Sequence, residues 1–295
     1  SKKNISEIKT SDLSFSIAPK LNAAGRLADM SLGIKCLISE TQEEALLYAR
    51  QLLSLNDQRK SIEIGMLETA LDSVKVTSNI NYSIALFNAN WHQGVIGIIA
   101  SRLKEKYYRP TIIFAKDDSG LLKGSGRSIP SFHLRDALDL ISKGYPEIIV
   151  TFGGHAMAAG LTIREKDLNN FSEIFERTAK KLLSEDDLNL TVDVDNSILG
   201  SDLDYKTVNL INKEIWGQSF PPPLFSDQFN VISQRVIAEK HTKLYLSKDE
   251  INYDAIFFNN DQTQPVRIRA IYSIEVNDFN GIKSIQIIIK SILDE

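Results

Sequence analysis

Apolar residues recur at helical spacing through the first quarter of the chain. Ala45, Leu46, Ala49, Leu52 and Leu53 are followed by Ile62, Met66, Leu67, Ala70, Leu71 and Val74, which predicts one amphipathic helix over 41–75. Thr41, with Glu44 three positions later, has the spacing of a capping box. A polar patch, Asn56-Asp57-Gln58-Arg59-Lys60, interrupts the stripe. A continuous helix would be roughly 50 Å long at about 1.5 Å per residue. A polar waist in so long a helix suits a strut between domains; two helices broken near Asn56 is the competing reading.

Between 80 and 183 the period alternates. Short β-rich runs at Ile84–Phe87, Thr111–Ala115 and Ile148–Phe152 are separated by helical patterns at Val95–Lys106, His133–Ser142 and Asp167–Leu183. That order predicts an α/β domain with a mostly parallel or mixed sheet. From 190 onward the period falls to two. Val266, Ile268, Ala270, Tyr272, Ile274 and Val276 occupy every second position, as do Ile285, Ile287 and Ile289 after an Asn280-Gly281 hairpin signal. With the runs near Phe229–Val236 and Lys243–Leu246, this region reads as a small all-β domain, a barrel.

At 295 residues the chain is too long for one core, and 43% hydrophobic with 24% charged residues is a globular composition. No apolar run has the length of a membrane span and the N-terminus has no secretory signal. Cys36 stands alone, which excludes an internal disulfide framework and suits a reducing cytoplasm. The chain begins at Ser1, as a processed or truncated product would. Its net charge of −4 disfavours a generic polyanion binder. The charge is uneven, however. Arg102, Lys104, Lys106, Arg109, Lys116, Lys123, Arg127 and Arg135 face only Glu105, Asp117 and Asp118 across 100–135, whereas 185–204 is acidic without a base and reads as a linker.

Phosphate-loop, zinc-protease and nucleophile-elbow motifs are absent, and His92, His133, His155 and His241 do not cluster. Glycine-rich segments remain. Lys123-Gly124-Ser125-Gly126-Arg127-Ser128 reads either as a turn whose amides, hydroxyls and Arg127 grip phosphate, or as a hairpin with a solvated arginine. Gly153-Gly154-His155, followed by small residues to Gly160, reads as a strand and turn opening a helix that presents N–H groups to an anion, with Met157 in the core. His155 there is either a phosphoryl donor or a helix cap. Asn22 and Arg26 bracket small residues in Leu21–Arg26 and would suit a closely approached ligand. Gly94 and Gly97 suggest close packing of a helix on the sheet, with Trp91 and His92 at the preceding turn. In the barrel, Lys240, Lys243, Arg267, Arg269, Lys283 and Lys290 lie near Tyr245, Tyr253, Phe257 and Tyr272. That mixture suits single-stranded nucleic acid, or else a solvated face over core aromatics.

Taken in order, LNAAGR, WHQGVIGIIASRL, KGSGRS, FGGHAMAAG and WGQSFPPPLF resemble the single-stranded-DNA-specific exonucleases of the DHH phosphoesterase family over nearly the whole chain. The resemblance implies the end of a DHH domain at 1–40, a connecting helix at 41–76, an α/β DHHA1 domain at 77–184 and an OB-fold domain at 185–295. It implies 5′-to-3′ hydrolysis of single-stranded DNA with Mn²⁺ or Mg²⁺ in repair and recombination. The family's metal-binding motifs lie upstream of LNAAGR, so no metal is expected in this chain and no activity from it alone. By the same resemblance Asn22, Arg26, Lys123, Ser125, Arg127, Ser128, Gly153 and Gly154 are phosphate or DNA binders. His155 contacts the phosphate near the scissile bond, and Lys240, Lys243, Arg267 and Arg269 extend the track. Single-stranded DNA is the implied partner, with a single-strand-binding protein and a helicase as protein partners of a monomeric, cytoplasmic enzyme. A non-catalytic single-strand binder and a small-nucleotide phosphoesterase are the alternatives.

Overall fold

A computed structural model describes residues 8, 10–76, 82–200, 203–217, 220–279 and 282–293. The chain divides into two compact units, 1–190 and 191–295.

The first unit opens with a short helix α1 (Thr10–Asp12), a π-helical turn over Leu13–Ile17, α2 (Ala18–Leu27) and α3 (Ser31–Ile38). The long helix is continuous as α4 (Gln42–Val76), and the Glu44 amide donates to Thr41 Oγ1 at 3.3 Å, half of the expected box. The polar waist does not make it a free strut. Asn56 is only 2% exposed, and it accepts from Arg59 Nη2 at 3.2 Å. Arg59 also pairs with Glu63 one turn on, and Arg102 reaches the same carboxylate at 3.4 Å. Met66, Ala70 and Val74 then join the core formed by Val95, Ile96, Ile99 and Leu103.

The sheet contains β1 (Ile84–Phe87), β2 (Thr111–Lys116), β3 (Leu121–Arg127), β4 (Ile149–Gly154) and β5 (Ala158–Arg164), in the order β1-β2-β3-β5-β4. It is mixed: β1 and β2 run parallel and every other pair antiparallel. Helices α5 (Ile96–Tyr107), α6 (Leu134–Gly144) and α7 (Leu168–Leu182) pack on it. One face carries α6 and α7 on Ile112, Phe114, Leu122, Leu161 and Ile163. The other carries α5 on Ile113 and Ala115, and leaves Thr151, Gly153 and Gly160 exposed.

Two expectations are corrected here. The Lys123–Arg127 segment is strand β3 rather than a turn, so it offers no nest of consecutive amides. After Gly154 the chain makes a hairpin into β5 and opens no helix, because Ala159, Leu161 and Ile163 alternate inward as a strand does.

The second unit is helix α8 (Tyr205–Lys213) with β6 (Phe225–Ile237), β7 (His241–Lys248), β8 (Ile251–Phe257), β9 (Arg267–Phe279) and β10 (Ile282–Leu293). These strands close into a barrel, β10-β8-β7-β6-β9, as the period-two pattern predicts. Asn280 and Gly281 lie outside the described residues; β9 and β10 pair antiparallel up to Phe279 opposite Ile282. Phe225, Phe229, Leu244, Leu246, Ile274 and Ile287 fill the interior, and Val208 of α8 packs against it. Asp227 also points inward. It accepts from the Tyr272 hydroxyl at 2.7 Å and pairs with Lys248, which satisfies a charge that would otherwise be costly to bury. Among the described residues no helix is long and apolar enough to cross a membrane.

Candidate nucleic-acid interface

Strand alternation sorts the Lys123–Arg127 segment by face. A Cβ on Gly124 would lie 2.5 Å from the Phe114 ring and 2.6 Å from Leu161, and one on Gly126 would lie 2.6 Å from Leu134. Both glycines therefore serve packing against the α6/α7 side, and neither brings backbone to a ligand. Lys123, Ser125 and Arg127 necessarily take the opposite face. There Arg127 Nη1 donates to the Gly126 carbonyl at 2.7 Å and to Ser125 Oγ at 3.2 Å.

Helix α2 brings a second guanidinium to the same place. Arg26 Nη1 donates to the Gly94 carbonyl at 3.1 Å, 68 residues away in sequence. Burial lowers the pKa of Arg127 below its ordinary value, and the like charge of Arg26 lowers it further. Among the described residues no carboxylate forms an ion pair with either arginine. Two cations in a partly desolvated place, with no acid paired to either among the described residues, have the chemistry that would suit an anion. Arginine's planar fork suits phosphate oxygens.

The other expected residues divide around this pair. Asn22 is exposed on α2, one turn before Arg26. Lys123 is engaged, donating to Thr162 Oγ1 at 3.1 Å and lying 3.7 Å from Asp117. Ser128 is 1% exposed, and its hydroxyl donates to the Phe132 carbonyl at 2.6 Å, so that group is committed to the fold. Gly154 sits at φ 145°, where a Cβ would meet the Ala158 carbonyl at 2.5 Å; the hairpin itself requires glycine there. His155 is exposed in the hairpin loop, together with Met157, which is 42% exposed and not in the core as expected. Trp91 faces inward, its indole donating to Thr69 Oγ1 at 3.0 Å on α4, and His92 Nδ1 accepts from the Gly94 amide at 3.0 Å.

Gly160 is a residue that sequence reading places only among the small residues following Gly154. It stands opposite Ser125 on one side and Gly153 on the other. A Cβ at Gly153 would meet nothing within 4 Å, and one at Gly160 only the Gly124 carbonyl at 3.9 Å. Gly160 and Gly153 thus form an open stretch of sheet beside Ser125, on the face that carries Arg127, that the fold itself does not require to be bare. The signal, glycine at outward strand positions, becomes legible only once the strands are known.

In the barrel the four expected cations do not form one cluster. Arg267 and Arg269 line a groove with Lys290, Gln262 and Gln264. Lys290 is the extra residue at a register shift in β10, between Ile289 and Ser291, where a bulge re-aims a side chain. Lys243 lies in a different groove with Arg235 and Tyr245 and is 3.4 Å from Asp254. Lys240 is exposed in the turn before β7. Tyr253 and Tyr272 belong to the core, so of the four aromatics considered for base stacking they are excluded, and Tyr245, at 40% exposure, and the half-buried Phe257 remain.

Residues 79–181 match the DHHA1 domain, and residues 194–291 match the RecJ OB domain. The single-stranded-DNA-specific exonuclease RecJ of Haemophilus influenzae is 40% identical over 304 residues, covering 97% of this chain and 52% of that protein. The Escherichia coli protein of the same name is 38% identical over 298 residues, with 97% and 52% covered. The crystal structure of RecJ from Thermus thermophilus in complex with Mn²⁺ has the same fold, with a TM-score of 0.77 at 23% identity over 97% of this chain and 42% of that one. The protein is therefore of the class that couples a DHHA1 domain to an OB barrel. It belongs to the RecJ family, and the chain spans about half the length of the curated relatives it matches. A second Thermus structure is in complex with Mg²⁺. Among the described residues here no three His, Cys, Asp or Glu side chains converge as a metal ion would need.

Proposed function

We propose that this chain is the substrate-holding part of an exonuclease that removes nucleotides from the 5′ end of single-stranded DNA in repair and recombination. The observation that carries this reading is the pair Arg26 and Arg127, brought together from α2 and β3 without an acidic partner among the described residues. A phosphate of the strand sits between the two guanidiniums, with the Ser125 hydroxyl as a neutral donor and Asn22 one turn away on α2. The exposed His155 contacts the substrate phosphate near the scissile bond. Residues 1–40 are the end of a DHH domain, whose remainder would hold the Mn²⁺ or Mg²⁺; bound there, the metal would make water acidic enough to act as the nucleophile. The barrel cations Arg267 and Arg269 continue the track, and single-strand-binding protein and a helicase are the expected protein partners of a cytoplasmic monomer.

The test is a fluorescence-anisotropy titration of this chain with a single-stranded oligonucleotide, with and without a 5′-phosphate, over a series of salt concentrations. Salt-sensitive binding that tightens with the phosphate supports the reading. Arg127→Ala then weakens binding by about 2 kcal/mol and lowers the salt slope by about one ion. Binding indifferent to both the phosphate and Arg127 sinks it. With Mn²⁺ added, this chain alone releases no nucleotides; processive release would overturn the assignment of the metal to the other part of the enzyme. Such release is also what separates the exonuclease from a purely non-catalytic binder when the longer protein is assayed.

A further inference from the structure

The two arginines are carried by different elements, α2 and β3, yet both touch one four-residue segment, Gly94-Val95-Ile96-Gly97, at the entrance to α5. Gly94 receives Arg26 twice. Its carbonyl accepts from Arg26 Nη1 at 3.1 Å, and the Arg26 carbonyl oxygen lies only 1.9 Å from where a Cβ of residue 94 would be. That neighbour is backbone and cannot yield. Gly97, three residues on, meets the other arm: a Cβ there would lie 2.9 Å from Ser125 Oγ and 3.0 Å from Arg127 Nη2. These neighbours are the ends of side chains and can move.

We infer that Gly94 and Gly97 are positioning residues for the phosphate clamp: Gly94 seats Arg26, Gly97 seats Arg127 and Ser125, and the segment between them sets how far apart the two guanidiniums stand. The inference rests on the reading of Arg26 and Arg127 as a phosphate site, and it assigns these glycines a role besides the close packing that their spacing suggests. Packing alone would be satisfied by a small side chain at residue 97, since what it would strike is the tip of Arg127 and the hydroxyl of Ser125, and no core atom is among its nearest neighbours. Added bulk at residue 97 turns the Arg127 fork away from its hydrogen bonds to Gly126 and Ser125 and out of line with Arg26. The fold is left in place, and the clamp is opened.

Gly97→Ala separates these roles because alanine favours a helix where glycine does not. In the 295-residue chain, with a 5′-phosphorylated oligothymidylate as the probe, Gly97→Ala is expected to weaken binding about tenfold, roughly one charge-assisted contact. Its thermal unfolding midpoint should be unchanged or higher. In the Arg127→Ala background the same substitution should cost nothing more, since the side chain through which it acts is gone. Equal losses in both backgrounds, a lowered midpoint accompanying the binding loss, or no loss in the parent chain would each overturn the positioning role. If Arg127→Ala itself leaves binding unchanged, or the parent chain does not bind, the phosphate-site reading fails and the inference falls with it. If Arg127→Ala weakens binding and Gly97→Ala does not, only the inference falls.

Discussion

The α/β unit and the barrel each hold buried or half-buried charge, but they use it in opposite ways. In the barrel, Asp227 is surrounded by what it needs, the Lys248 ammonium and the Tyr272 hydroxyl, and the cluster leaves nothing for a ligand to complete. In the α/β unit, the pKa of Arg127 is lowered by burial and by Arg26, and no carboxylate answers either cation among the described residues. The presence of basic residues does not distinguish the two regions, since each carries several. What distinguishes them is whether the desolvated charge is already satisfied within the chain. A satisfied charge holds a fold together, and an unsatisfied like pair needs an anion from outside.

The largest expected effect breaks the barrel side of that comparison. Asp227→Ala would take the acceptor from the buried Tyr272 hydroxyl and leave Lys248 without its partner, costing the barrel about 3 kcal/mol. Denaturant unfolding followed by a barrel-specific probe measures it, and a cost below about 1 kcal/mol would mean the cluster is incidental. The same cluster has a pH signature. Burial raises the Tyr272 pKa above its ordinary value, and the hydrogen bond to Asp227 and the charge of Asp227 raise it further. The folded barrel keeps a proton that an unfolded tyrosine gives up, so this stability is complete below about pH 10 and drains away as pH rises beyond it. Tyr272→Phe removes that alkaline slope.

A smaller effect tests the open sheet beside Arg127. Gly160→Val places a branched side chain where a Cβ meets only the Gly124 carbonyl at 3.9 Å. A strand gains from valine over glycine by roughly 0.5–1 kcal/mol, so the protein should melt no lower. Binding of single-stranded DNA should fall about tenfold, the cost of roughly one lost contact, because the strand attached to the clamped phosphate would meet the new methyls. It should fall alike for oligothymidylate and oligoadenylate, since a bare backbone floor has no side chain to read a base. A variant that melts higher and binds as before would show that this face is not used.

Much of this was legible before the fold was known, and the parts that were not share a cause. The α4 helix announces itself through Thr41, Glu44 and a stripe of apolar residues, all local signals, and β9 through strict alternation from Val266 to Val276. The Lys123–Arg127 segment misleads because paired glycines signal a turn, although Leu122, Gly124 and Gly126 against Lys123, Ser125 and Arg127 is itself a period of two. Small residues after Gly154 favour a helix locally, and the sheet overrides them by burying Ala159, Leu161 and Ile163. The polar waist of α4 looks solvated until Asn56 is seen to be enclosed. Arg26 beside Gly94, and Asp227 between Lys248 and Tyr272, are contacts between distant positions with no local signature at all.

The smallest effects concern the barrel's outer cations, and they sharpen the comparison because those cations are not equivalent. Lys243 already faces Asp254 at 3.4 Å, with the two side chains 34% and 41% exposed, so Lys243→Ala should alter DNA binding by less than about 0.5 kcal/mol. Arg269 and Lys290 share a groove, and Lys290 is thrown toward it by the β10 bulge. If the barrel extends the track, Arg269→Ala and Lys290→Ala each lower the salt slope by about one ion and cost less than about 1 kcal/mol near physiological salt. The losses should add, and they should be the same with or without a 5′-phosphate on the oligonucleotide. Arg127→Ala, by contrast, should cost most when that phosphate is present. A barrel variant that shared this phosphate dependence would mean that the two regions act on the strand as one site, and the division between a specific clamp and a diffuse electrostatic track would have to be abandoned.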